Sequence, residues 1–244
     1  MKTIILAAGY ANSMGAHTKD APSALLPIRG RPAIELLLEK IQPIRAVDEI
    51  FIVVNQRFSP QFQTWLNDYI HRIPIRIIEN SSRTQKDSFG PCRDLAFVIE
   101  RASIVDDSIV AGADNIFSFG LLDFIAHALG KKPYSSIATH DVNGKFKSKR
   151  YGVLRINELE RVIDFYEKPS KRNGSSLIST CLYFLPKEKL PTLNHYLSLN
   201  TNGAALGDYI KWLSQNDVVF AFNAKGEWFD LGDEDSYTEA IFKF

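Results

Sequence analysis

The sequence predicts an α/β fold: a mostly parallel sheet with helices on both of its faces. Two observations carry that prediction. Short continuous apolar runs, the mark of strands buried on both faces, recur through the first half of the chain. Between them lie segments with apolar residues at helical spacing, so the order reads strand, helix, strand, helix. A third observation sets the limits. The 244 residues, 45% of them hydrophobic, contain no linker, repeat or low-complexity run, and we read residues 1–244 as one domain.

Thr3 to Ala8 is the first apolar run, and it ends in Gly9. A polar stretch holding Gly15, Pro22, Pro27 and Gly30 reads as a long loop. Pro32 then opens a helix over Ala33 to Ile41, a position that suits its fixed φ. Glu49 to Val54 is a second buried strand. Ser59-Pro60 offers a cap and a first residue for a helix to about His71. Ile75 to Ile78 is expected as strand, Arg93 to Arg101 as helix, Asp107 to Gly112 as strand and Leu121 to Leu129 as helix. In the second half, Tyr151 to Ile156 and Arg161 to Tyr166 read as strands joined by a polar turn. Ser179 to Leu185 and Val218 to Phe222 are further strands, with helices at Leu206 to Leu213 and from about Asp235. Parallel sheets place ligands beyond the carboxyl ends of their strands, so the loops after Ala8, Ile78 and Gly112 are where chemistry is expected.

Composition excludes several classes. With 29 Lys+Arg against 28 Asp+Glu the formal charge is +1, which gives no footprint for nucleic acid. Aromatic and β-branched residues are plentiful, which argues against disorder. No apolar run approaches a membrane span. Cys92 and Cys181 form no disulfide framework and no zinc spacing, and read as buried thiols. The apolar part of the start is too short for a signal peptide, so a cytoplasmic setting is expected.

Four local patterns could carry chemistry. Leu6-Ala7-Ala8-Gly9 leads into a loop of small residues that allows a ligand close to the backbone, or is a tight turn. It lacks the G-x-G-x-x-G of dinucleotide binders, having Ala11 at the second glycine. Asp114-Asn115 after a buried strand is a candidate Mg²⁺ ligand or an Asx-turn. Glu167-Lys168-Pro169 would, if extended, send its two charges to opposite sides, or is a solvated strand end. Asp230 within Trp228-Phe229-Asp230-Leu231-Gly232 is an acid in apolar company, which calls for pairing or a metal. The five histidines fall at no ligand spacing.

Taken in order, these patterns resemble the sugar-phosphate nucleotidyltransferases, the glucose-1-phosphate thymidylyl- and uridylyltransferases among them. The series is Leu6-Ala7-Ala8-Gly9, Thr18-Lys19-Asp20-x-Pro22-x-x-Leu25-Leu26-Pro27-Ile28, Gly30-Arg31-Pro32, Asp114-Asn115, Tyr151-Gly152-Val153, Glu167-Lys168-Pro169 and Trp228 to Gly232. Asp208 and Tyr237 sit where the family has an acid and an aromatic. The resemblance implies a Rossmann-like three-layer α/β/α nucleotidyltransferase fold. It implies a reaction of NTP with a sugar 1-phosphate, or a similar small phosphorylated acceptor, giving an NDP-sugar and pyrophosphate. It implies Mg²⁺ held by Asp114 and Asp230, Lys168 on the acceptor phosphate, and Glu167 and Gly152 on the sugar. Leu6, Ala8, Gly9, Asn80 and Gly90 would meet the nucleotide. Relatives often assemble, so a homo-oligomer is an expectation of the same kind. The chain ends soon after the Trp228 motif, and no appended β-helical acyltransferase domain is expected.

The departures concern charge. Ser13 stands where the family's phosphate-clamping Arg is, and Ser23 stands where a Lys follows the proline. Contacts of this kind are worth roughly a hundred- to a thousandfold each. Lys19, Arg29, Arg31, Arg83 and Lys86 are candidates to supply the charge from elsewhere. The alternative is a nucleotide or sugar-phosphate binder impaired in turnover.

Overall fold

The computed structural model describes residues 1–10, 21–142, 150–170, 174–200, 205–232 and 234–244. The chain runs β1 (Lys2–Leu6), β2 (Pro27–Ile28), β3 (Arg31–Pro32), α1 (Ala33–Ile41), β4 (Glu49–Val54), α2 (Ser59–Asp68), β5 (Ile75–Glu79), α3 (Pro91–Arg101), β6 (Ser108–Gly112), β7 (Asn115–Phe117), α4 (Leu121–Gly130) and β8 (Ser135–Asp141). It continues through β9 (Val153–Ile156), β10 (Val162–Tyr166), β11 (Leu177–Leu185), α5 (Leu190–Leu199), α6 (Leu206–Asn216), β12 (Val219–Asn223), β13 (Trp228–Asp230) and α7 (Glu234–Lys243).

A nine-stranded mixed sheet is the spine, with the path β10-β9-β11-β6-β1-β4-β5, β8 beside β11, and β12 beside β8. The predicted strands of the first half form its parallel part: β1 lies between β4 and β6, and β5 flanks β4. The second half enters antiparallel, with β11 against β6, β8 and β9 and β9 against β10. Successive residues of a strand face opposite layers. Ile5 accordingly joins a cluster with Leu37, Leu38, Phe62 and Phe124 of α1, α2 and α4. Ile4 joins the opposite one, with Leu95, Val98, Leu193, Tyr209 and Leu213 of α3, α5 and α6. These clusters are the two faces of the three-layer arrangement.

Several boundaries differ from expectation. Ser59 does not cap α2; Phe58 is the capping residue and Ser59-Pro60 are the first helical positions. Asn55 takes over the capping chemistry, its Oδ1 accepting from the Phe58 N–H at 2.9 Å and its carbonyl from the Ser59 N–H at 3.0 Å. The helix stops at Asp68, so His71 lies beyond it. β8 and α5 were not expected. β8 is rich in Ser and Thr, yet it is buried, because it pairs with both β11 and β12; Thr139 Oγ1 donates to the Phe222 carbonyl and Thr180 Oγ1 to that of Ala138, while the Ser135 and Ser136 hydroxyls have no partner among the described residues.

Two short strands stand apart from the spine. β7 pairs antiparallel with β13. This clip sits on a third apolar cluster: Leu26, Ile28, Ala33, Ile116, Phe229, Leu231, Tyr237 and Ala240. Among the described residues no helix is long and apolar enough to cross a membrane.

Candidate functional site

A cavity of about 720 Å³ opens at the carboxyl ends of the parallel strands. Its wall includes Gly9 and Tyr10 after β1, Gly90 and Pro91 at the start of α3, and Asp114 after β6. The second half adds Gly152, Glu167, Lys168, Gly207 and Asp230. Seven predicted site residues therefore share one cavity: Gly9, Gly90, Asp114, Gly152, Glu167, Lys168 and Asp230.

The two aspartates are neighbours because β7 and β13 pair. Asp230 is in register with Asn115, and the Leu231 N–H donates to the Asp114 carbonyl at 3.1 Å. Asn115 serves as a bracket and forms no Asx-turn; it is a strand residue. Its Nδ2 donates to the Cys181 carbonyl at 3.1 Å, and its Oδ1 accepts from Trp228 Nε1 at 2.9 Å. Asp230 Oδ1 accepts from the Gly232 N–H at 2.9 Å. Burial holds the Asp114 carboxyl above the usual range, with the Lys168 charge opposing that shift. Burial also raises the Cys181 thiol, which further senses the charges of Asp114, Asp230 and Glu167. Cys181 is thus a protonated wall residue among carboxylates, half-buried, and the expectation of a buried thiol is met by Cys92.

Glu167 and Lys168 both face the cavity. The chain is not extended there: Lys168 has φ 43°, in the left-handed region, and this turn brings both side chains inward. Burial raises the Glu167 carboxyl, Lys168 lowers it and Asp208 raises it. Glu167 lies in a slot cut by glycines. A Cβ on Gly152 would come to 3.2 Å from Glu167 Oε2, and one on Gly207 would collide with that oxygen.

On the opposite wall, Gly90 has φ 79° and ψ 156°, a region essentially reserved for glycine. It starts α3 with the helix N-terminus at the cavity, a ready place for anionic groups. Gly9 differs: a Cβ there would meet nothing within 4 Å among the described residues. Neither packing nor φ demands glycine at that point, which leaves room for a close ligand.

Three predicted nucleotide contacts lie behind the wall. The Leu6 carbonyl accepts from the Ala113 N–H, and the Ala8 carbonyl accepts from Asn55 Nδ2 at 3.1 Å. Asn80 is 1% exposed, with Asp94 and Ser82 as its side-chain partners. Of the proposed charge replacements, Arg29 bonds the Ile241 and Phe242 carbonyls and Arg31 bonds Glu35 and Glu39. Arg83 bonds Gln56. Ala11, Ser13 and Lys19 lie outside the described residues. Ser23 sits in a short turn off the cavity. Among the described residues, Lys168 and Arg150 are the cations on the wall, and Arg150 was missed in the sequence because it follows a polar run without pattern. No cluster of three or more His, Cys, Asp or Glu suited to a metal occurs among the described residues.

The family described as Nucleotidyl transferase matches residues 2–244. The bifunctional protein GlmU of Methanocaldococcus jannaschii is 24% identical over 233 residues, which is 95% of this chain and 51% of that protein. The UTP–glucose-1-phosphate uridylyltransferase of Synechocystis is 25% identical over 250 residues, 99% of this chain and 62% of that one. The chain thus spans about half to two thirds of the length of these relatives. A solved UDP-glucose pyrophosphorylase complexed with UDP-glucose superposes with a TM-score of 0.81 at 19% identity, covering 99% of this chain and 97% of the other, and shares its fold.

Proposed function

The chain belongs to the nucleotidyl transferase family, and from that premise we propose that it joins an NTP to a sugar 1-phosphate or a similar small phosphorylated acceptor, releasing pyrophosphate, as one catalytic domain. The observation that carries the reading is the meeting of Asp114 and Asp230 on the paired ends of β7 and β13, facing Lys168 across one cavity.

The reaction is an in-line displacement: an acceptor phosphate oxygen attacks the α-phosphorus and pyrophosphate leaves. Positioning and charge neutralisation supply the rate, with no covalent role for a side chain. The NTP lies along the wall of Gly9 and Gly90, with the N-terminus of α3 toward its anionic groups. Lys168 holds the acceptor phosphate, and Glu167 accepts hydrogen bonds from acceptor hydroxyls. Arg150 supplies the cationic charge that Ser23 does not.

The carboxylates suit a hard divalent cation. Burial of Asp114 is costly for its charged form and is offset by a cation close by. Two carboxylates with no third protein ligand among the described residues match Mg²⁺, which is usually held by one or two carboxylates plus substrate phosphate and water. Bound there, Mg²⁺ would neutralise the developing charge on the α-phosphate.

The test incubates the protein with each common NTP, Mg²⁺ and a panel of sugar 1-phosphates, and follows pyrophosphate. Turnover abolished by Asp114→Asn and by Asp230→Asn supports the reading; silence across the panel overturns it. A second reading, a nucleotide or sugar-phosphate binder on the same fold, is favoured by Ser23 lying off a wall whose described cations are only Lys168 and Arg150. Saturable nucleotide binding in calorimetry without turnover would select it. A cytoplasmic setting and assembly into homo-oligomers belong to the proposal.

A further inference from the structure

Behind the Gly9 wall a row of buried polar side chains runs from α3 to the cavity. Asp94, in the first turn of α3, is 4% exposed, and Asn80, Ser82 and Tyr10 are 1%, 1% and 5% exposed. Asn80 Nδ2 donates to Asp94 Oδ1 at 2.6 Å. Asn80 Oδ1 accepts from Ser82 Oγ at 2.7 Å and from the Ser82 N–H at 3.0 Å. The Tyr10 hydroxyl donates to Ser82 Oγ at 3.3 Å, and Tyr10 itself lines the cavity.

The direction of every bond in this row follows from its end. An ionised carboxylate only accepts. It therefore takes the NH₂ of Asn80 and turns the amide oxygen toward Ser82. The Ser82 backbone N–H, which only donates, demands the same orientation. Having given its proton to Asn80, the Ser82 hydroxyl can only accept, so the Tyr10 proton points into the protein and its ring is pinned at the wall. Asp94 acts on the second wall as well, because its N–H donates to the Gly90 carbonyl at 2.9 Å, closing the first turn of α3. Asn55 and Gln56 brace the same segments: Asn55 Nδ2 reaches the Ala8 and Gly9 carbonyls at 3.1 and 3.4 Å, and the Gln56 N–H reaches the Ser82 carbonyl at 2.9 Å.

Burying this acid has a cost that the fold does not offset with an ion pair. Among the described residues no cation pairs with Asp94, and burial pushes its carboxyl up to about 6. Two apolar residues could fill the same volume more favourably. What an apolar pair could not do is orient Asn80, Ser82 and Tyr10 in one sense.

We propose that Asp94 is a positioning residue for the nucleotide half of the cavity: through Asn80 and Ser82 it sets the hydrogen-bond direction that pins Tyr10, and through its own backbone it holds Gly90 opposite. The inference rests on the reading that the Gly9–Gly90 wall takes the NTP.

The swap of the two buried partners is the test. Asn80→Asp alone sets two carboxylates at hydrogen-bond distance, and their repulsion pushes the side chain at position 80 off its place between Asp94 and Ser82. Adding Asp94→Asn restores the row, because the amide then borne by α3 can donate to the carboxylate that replaces the Asn80 side chain, and that carboxylate can accept from Ser82. Pyrophosphate release is measured for wild type, Asn80→Asp and the double variant, varying NTP and sugar phosphate separately, with calorimetric binding of NTP and thermal melts alongside. The expected result is an NTP KM raised by roughly tenfold or more in Asn80→Asp, an unchanged acceptor KM, and recovery in the swap. Equal rises in both KM values, an unchanged NTP KM, or a swap that melts like the wild type without recovering the NTP KM would each overturn the proposal. Should Asn80→Asp fail to fold, Ser82→Ala, which cuts the row at its middle, must raise the NTP KM alone. Wild-type protein that binds no NTP refutes the nucleotidyltransferase reading; wild-type protein that binds NTP while the variants match it refutes only the role of Asp94.

Discussion

Gly207 is where the acceptor side can be tested by adding a single carbon. It is the second residue of α6, and a Cβ there would overlap Glu167 Oε2, lie 2.8 Å from Glu167 Cδ and 2.9 Å from Phe165 Cε1. Two effects on stability oppose each other. Alanine is favoured over glycine in a helix by about 0.5–1 kcal/mol. Overpacking costs about 1–3 kcal/mol. The net is a loss of about 0–2.5 kcal/mol, a fall in Tm of less than about 10 °C for a chain of this length. Function should respond more strongly. Glu167 Oε2 occupies the space a Cβ on residue 207 would need, so the carboxylate must shift from its place in the slot. Losing one hydrogen bond to a charged group is worth about 1.5–3 kcal/mol, or about tenfold to a hundredfold in kcat/KM for the acceptor. The assay is pyrophosphate release with varied sugar phosphate at saturating NTP, beside thermal melts. Combining Gly207→Ala with Glu167→Gln should add little to either alone, since both act through one carboxylate. An unchanged acceptor kcat/KM in a Gly207→Ala protein that melts normally would refute the role given to Glu167.

Arg150→Ala should lower kcat/KM for the NTP by about a hundredfold with little change in Tm, because the guanidinium lies on the cavity wall; kinetics with varied NTP checks this. Gly90→Ala forces an alanine to φ 79° and ψ 156°, costing about 1–3 kcal/mol and displacing the start of α3, so thermal melts should show a lower Tm and titrations a weaker hold on NTP. Asp94 keeps its proton to about pH 6 in the folded chain against an ordinary 3.8, so the native state binds more protons between those values. Its contribution to stability therefore falls as pH rises from about 4 to about 6 and stays lost above, by about 3 kcal/mol in all. Asp94→Asn removes that loss: urea melts should show the variant gaining on the wild type through this window and holding a constant lead at higher pH.

How much of this was legible in the sequence depended on where each residue finds its partners. β1, β4 and β6 are buried on both faces, so their apolar runs announced them without knowledge of neighbours. α1 was equally plain, since Ala33, Ile34, Leu37, Leu38 and Ile41 recur at helical spacing and are all buried. β8 was not legible, because Ser135, Ser136 and Thr139 interrupt any apolar run, although all three are buried in the sheet. The same division runs through the site. Asp114, Asp230, Glu167 and Lys168 belong to short patterns that can be read locally. The row from Asp94 to Tyr10 cannot, as its members are joined across three separate elements. Asn80 was expected to meet the nucleotide, and its side chain lies behind the wall, bonded to Asp94 and Ser82. Nothing in Glu79-Asn80-Ser81 signals that a carboxylate fourteen residues away will claim its amide.

On the proposed reading, the layout also explains why the site residues tolerate such distant origins. The Gly9–Gly90 wall is anchored in the spine: the Gly9 turn hangs from β1 and is tied to β4 by Asn55, while α3 packs on β1 and β4. The carboxylates are borne instead by the β7–β13 clip, which the spine holds through Ala113 to Leu6 and through Asn115 to Cys181. The clip has its own small apolar cluster, closed by Ala240 and by Tyr237, whose hydroxyl donates to the Pro27 carbonyl at 2.8 Å. Pro27 lies between Leu26 and Ile28 of that cluster, which also holds Phe229 and Leu231 on either side of Asp230. Side chains separated by most of the chain are thereby held to one frame by a cluster of eight buried residues. A buried carboxylate that must face a cation at fixed distance needs a rigid support of this kind, because sub-ångström misplacement at such a centre is felt directly in the rate.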